Sequence, residues 1–77
     1  MRERGIYSLP DGRQVVSSKG ADDMWFLFTI NHWQLYGAVD LRVNPDGTIS
    51  EKGVDTHWTL ASLTDTGRTA SPPPTYP

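Results

Sequence analysis

Two histidines, His32 and His57, stand in a chain whose Asp22, Asp23, Asp40 and Asp55 could join them at a metal. A zinc or iron site needs three or more ligands converging at fixed geometry, and nothing in this spacing enforces convergence. Each histidine directly precedes a tryptophan, Trp33 or Trp58, which suits an imidazole lying beside a packed indole. No metal and no cofactor is therefore expected. Nucleophilic chemistry has no firmer basis, because the chain holds no G-x-S-x-G elbow, no Gly-rich phosphate loop and no cysteine. The expectation is a non-catalytic protein, with a composite site assembled from several copies as the one enzymatic route.

Two short motifs have counterparts elsewhere. Asp65-Thr66-Gly67 resembles the triplet of the aspartic proteases, in which paired aspartates share a proton and activate water. The resemblance covers three residues, with Thr64 before them, Arg68 after them and a Pro-rich stretch beyond, so they are read as an Asp-Gly-type turn following the last element. Pro73-Pro74-Thr75-Tyr76 has the form P-P-x-Y, which resembles ligands of WW domains, whose aromatic groove takes a preformed polyproline II segment. That resemblance implies Pro73, Pro74 and Tyr76 as contact residues.

The aromatic residues Trp25, Trp33, Tyr36 and Trp58 offer binding without chemistry. Tryptophan and tyrosine dominate desolvated interface centres, so these four are the expected partner-binding set. The partner is another protein or a second copy of the chain. An alternative uses the same rings as a stacking platform for a single-stranded nucleic acid, with Arg13, Lys19 and Arg42 neutralising phosphates. A formal net charge of -2, and seven Arg and Lys spread from Arg2 to Arg68, make a poor footprint for phosphate and favour protein.

The elements that position these residues follow from turn chemistry and periodicity. Pro10-Asp11-Gly12 and Asn44-Pro45-Asp46-Gly47 each place Pro ahead of Asp-Gly, which predicts two hairpins. The first joins strands at 5–9 and 14–19, and the second joins 38–43 to 48–52. Between them, Met24-Trp25-Phe26-Leu27-Phe28-Thr29-Ile30 is almost wholly apolar and too short for a stable helix, so it reads as a strand buried on both faces. Met24, Phe26, Phe28 and Ile30 are taken as its core stripe, and Trp25, Leu27 and Thr29 as the other. Asn31-His32 is read as a reversal, and Gly37 as a bulge or kink. In 38–43, Val39, Leu41 and Val43 alternate with Asp40 and Arg42, the pattern of a half-buried antiparallel strand. Leu60 and Leu63 predict one helical or 3₁₀ turn within 59–64.

The predicted fold is all-β, a five-stranded antiparallel meander at residues 5–66 curled into an SH3-like or partly open barrel. A flexible start at 1–4 and a disordered Pro-rich tail at 67–77 flank it. With 77 residues and no cysteine, stability must come from packing or assembly. No stretch approaches the roughly 18 apolar residues of a membrane span, and no apolar region follows Met1-Arg2-Glu3-Arg4-Gly5. A soluble, cytoplasmic protein is expected.

Overall fold

The two Pro-Asp-Gly segments build the same turn in the computed structural model, which describes residues 1–34 and 38–72. Gly12 N–H donates to the Leu9 carbonyl (2.9 Å) and Leu9 N–H to that of Arg13 (2.7 Å); Gly47 and Asn44 repeat the pattern with Asn44 and Thr48 at 2.9 and 2.8 Å. Pro and Asp fill the turn centre, and Gly12 and Gly47 take the positive φ values (97° and 89°) that close such three-residue loops. Each Asp carboxylate also accepts the N–H two residues on, from Arg13 and Thr48, at 3.0 Å. These turns set the register of β1 (Gly5–Ser8) with β2 (Gln14–Lys19), and of β4 (Leu41–Val43) with β5 (Thr48–Glu51).

The protein is mostly β, a single antiparallel sheet of seven strands in the order β6-β5-β4-β3-β2-β1-β7, with β3 at Trp25–Thr29, β6 at Val54–Thr59 and β7 at Thr64–Thr69. The five predicted strands are β1 to β5, and the count is corrected by one strand added at each edge. Both additions are polar and mostly exposed, so they lack the apolar alternation that marks a strand in sequence. Backbone pairing and two matching side-chain hooks hold them instead. Thr56 Oγ1 donates to the Ile49 carbonyl and Thr66 Oγ1 to that of Ile6, each at 2.7 Å. Asp55 accepts the His57 N–H and Asp65 the Gly67 N–H, each at 2.8 Å. His57 and Gly67 both have positive φ (64° and 79°), and the register shifts at both places. Asp65-Thr66-Gly67 is therefore a β-bulge inside a strand, not a turn after the last element, and the predicted boundary at 66 falls within β7. Among the described residues β6 and β7 do not pair, so no closure into a barrel is seen.

The core lies on one side of this sheet. Val15, Leu27 and Ile49 have no exposed surface, and Tyr7, Leu9, Leu41 and Val43 join them, with Trp25, Trp58 and Leu63 packed at the margin. A flat single sheet would leave that face wet, so burial this complete requires the sheet to curl over its own side chains. The predicted core stripe of β3 is reversed. Register pairs Leu27 with Ser17 and Leu41 on the buried side, whereas Phe28 sits beside Val16 and Phe26 beside Arg42 on the other. Leu27 is buried, and Phe26 and Phe28 are half-buried. The helical prediction within 59–64 matches a 3₁₀ turn at Leu60–Ser62, and the predicted reversal at Asn31-His32 is a short helix, α1 (Ile30–Gln34). No described helix is long and apolar enough to cross a membrane.

Ser17 is the one buried polar side chain in the described core, and its hydroxyl donates to the Arg2 carbonyl and, at 3.3 Å, to that of Gly5. This draws the start of the chain onto the sheet, where Arg4 N–H bonds the Ser17 carbonyl and Ala70 N–H bonds that of Arg4, both at 2.7 Å.

Leu27→Ala is expected to destabilise the protein by about 2–5 kcal/mol and Phe28→Ala by clearly less, read from urea unfolding. Equal losses would mean that both faces of β3 are core. The β5–β6 hairpin turns on Lys52-Gly53, with φ of 52° and 81°. Two positive φ values favour Asn-Gly at such a turn, so Lys52→Asn is expected to add several tenths to about 1 kcal/mol, seen as a raised melting temperature.

Candidate protein-contact face

The side of the sheet away from the core carries its own apolar row. Ile6, Val16 and Phe28 are direct cross-strand partners on β1, β2 and β3. Val16 is fully buried yet is no part of the core cluster. Its cover comes from α1, which follows β3 without a break and lays Trp33 edge-on against Phe28, ring centroids 5.6 Å apart at 61°. Five residues of helix cover little, so Ile6, Phe28, Ile30 and Trp33 all remain half-buried. Beside them Phe26 carries the Arg42 guanidinium, 5.6 Å from its ring centre. An ideal Cβ at Gly20 would lie 2.1 Å from the Phe26 ring, so the absence of a side chain there lets this ring lie flat.

Asp40 holds α1 in place. Its carboxylate accepts the Thr29 N–H at 2.7 Å and meets His32 Nδ1 at 2.8 Å, while its own N–H donates to the Leu27 carbonyl at 3.0 Å. Burial pushes the Asp40 carboxyl up, but the Thr29 N–H and His32 outweigh it and the net displacement is downward. An Asp–His pair is the part of a catalytic relay that orients a base, but a relay also needs a hydroxyl or thiol on the far nitrogen. Among the described residues no side chain but Asp40 bonds His32. The pair therefore acts as a clasp between helix and sheet.

The candidate residues divide by face. Trp33 lies on the half-covered side. Trp25, opposite Val43, and Trp58, opposite Ile49, lie on the core side and pack there half-buried. Tyr36, Gly37, Pro73, Pro74 and Tyr76 lie outside the described residues. Of the cations, Arg13 bonds Asp11 at 2.8 Å and both oxygens of Glu51 at 2.8 and 3.2 Å, and Lys19 lies 3.1 Å from Asp23. The Glu51 hydrogen bond holds the Arg13 guanidinium above its ordinary value. His57 stands 3.9 Å from Asp55, and Asp65 is gripped by Arg2 at 2.7 and 3.1 Å with no second carboxylate sharing a proton. Among the described residues no three His, Asp or Glu side chains converge on one point.

Sequence reasoning missed Ile6, Val16, Phe26 and Phe28 as a surface. The available signal was Val15-Val16-Ser17, an apolar pair on adjacent positions that must point to opposite faces of β2. Comparison with known family models, with curated proteins and with solved structures finds no match to this chain.

Several carboxyls sit below their ordinary values of 3.8 for Asp and 4.5 for Glu: Asp65 through Arg2, Glu51 through Arg13, Asp11 and Asp46 through hydrogen bonds to the turns they build, and Asp40. A depressed folded-state value means that the unfolded chain binds protons first as pH falls. Their stabilisation is present above the ordinary values and is lost as pH drops through the lower folded-state ones. Melting temperature is expected to be flat above about pH 5 and to fall steadily between about pH 4 and 2. Glu51→Gln should flatten part of that fall, and a profile independent of pH would show these contacts to be absent in solution.

Proposed function

We propose that this chain is a non-catalytic interaction module that meets another protein, or a second copy of itself, through the face formed by β1, β2, β3 and α1. One observation carries this reading: Val16 is fully buried beneath a cover so small that Ile6, Phe26, Phe28, Ile30 and Trp33 around it are only partly buried. Aromatic and aliphatic side chains gathered around a dry centre are what interface anchors require. Both sheet edges are bulged and polar, which opposes strand addition and favours contact through a face.

We also infer a strongly curled, partly open barrel of SH3-like proportions. The ion pair between Arg13, at the β1–β2 turn, and Glu51, at the end of β5, supports it. In a flat sheet three strand spacings, about 14 Å, would separate β2 from β5. The nucleic-acid alternative has less to draw on, since Arg13 and Lys19 are already matched with carboxylates and Arg42 alone of the three lies over an aromatic ring.

A photo-crosslinking amino acid at Gln34, exposed at the end of α1, is expected to trap a discrete protein in the source cell, of either this chain's mass or another. The same group at Val54, exposed on β6, should trap none. Equal yields at the two positions, or a Gln34 product removed by nuclease, would overturn the reading.

A further inference from the structure

Between α1 and β7 the half-covered face deepens into a groove of about 380 Å³ walled by Ile6, Val16, Ile30 and Trp33. Its far wall is Thr69 at the end of β7 with Ala70-Ser71-Pro72 beyond it, and the Trp33 indole Nε1–H donates to the Ser71 carbonyl at 2.9 Å. The edge-on contact with Phe28 fixes the indole so that this donor points at the passing backbone.

This is the chemistry by which extended proline-containing segments are recognised. Such a backbone makes no internal hydrogen bonds, so its carbonyls are free acceptors. The pyrrolidine rings need an apolar wall, and an aromatic side chain with a polar tip supplies wall and donor together. Here the accepted carbonyl is the one immediately before Pro72.

This wall segment is held lightly. Ala70 is fastened to the sheet by its N–H to the Arg4 carbonyl at 2.7 Å, but beyond it Ser71 and Pro72 are exposed, and the indole bond is the side-chain contact that holds them. An intramolecular ligand meets its groove at an effective concentration in the millimolar range, so even a weak strap competes with a partner. We infer that the Trp33 groove is a recognition site for an extended, proline-containing segment of a partner protein, and that the Ser71 carbonyl, by taking the Trp33 donor at the groove's wall, is a built-in competitor for it. This rests on the contact-face reading above and names its partner class.

The test uses the full chain and a fluorescein-labelled peptide of sequence Ala-Ser-Pro-Pro-Pro-Thr-Tyr-Pro, with a control in which every Pro is Ala, followed by anisotropy. The peptide should bind and the control should not. Pro72→Ala, at an exposed position, should release the strap and tighten peptide binding several-fold. Placed on the Pro72→Ala background, where the strap no longer competes, Trp33→Phe keeps an aromatic wall but removes the donor, and should weaken binding by roughly 2- to 10-fold while the thermal melt still shows a folded protein. Absence of binding to either the native chain or Pro72→Ala at millimolar peptide would overturn the inference, as would binding indifferent to Trp33→Phe. Should the peptide fail while Gln34 still crosslinks a protein, the contact face stands and the proline-segment site falls; should both fail, both fall.

Discussion

A single sheet has no second layer to lean on, so in 77 residues its apolar face stays dry only if the sheet bends over itself. The other features of the fold serve that bend. Side chains from β1 to β5 supply the buried interior, with Trp58 from β6 and Leu63 at its margin. The Arg13–Glu51 pair draws the β1–β2 turn toward the end of β5, and the Leu60 N–H, bonded to the Gly47 carbonyl at 3.0 Å, ties the β6–β7 connection to the second Pro-Asp-Gly turn. The bulges matter here too, since an extra residue in an edge strand increases local twist.

Bending makes the two faces unequal, and that inequality is the origin of the candidate site. The inner face holds the buried core, while the outer one keeps an apolar row that, among the described residues, α1 covers in part. Asp40 joins the two halves of this arrangement. By binding Thr29 and His32 together it sets how the helix leaves β3, and so where Trp33 lands.

What could be read from the sequence was whatever depends on local backbone chemistry. Pro10-Asp11-Gly12 and Pro45-Asp46-Gly47 specify their turns without help, and they carried the register of two hairpins with them. The alternation of Leu41, Arg42 and Val43 was equally plain. Two things depend on tertiary partners and could not be read this way. Val-Asp-Thr-His-Trp-Thr and Thr-Asp-Thr-Gly-Arg-Thr become strands because a neighbour presents a free edge, and their threonines hook its carbonyls. In β3 both stripes are apolar, so side-chain type alone does not say which one faces inward. The direction of the curl decides it, and that follows from pairing across the sheet. Trp25, Trp33 and Trp58 are alike in type and differ only in which face their element turns to.

The first and last described strands are neighbours, antiparallel, and the chain enters β1 and leaves β7 at the same corner, where Gly5 is paired with Thr69 and Arg4 with Ala70. Tension applied through the two ends would load these backbone bonds one after another, as a zipper opens, instead of shearing the whole row at once. A module built this way yields to modest mechanical force from its β1–β7 margin inward, while the ladder from β2 to β5 is the last to feel the pull.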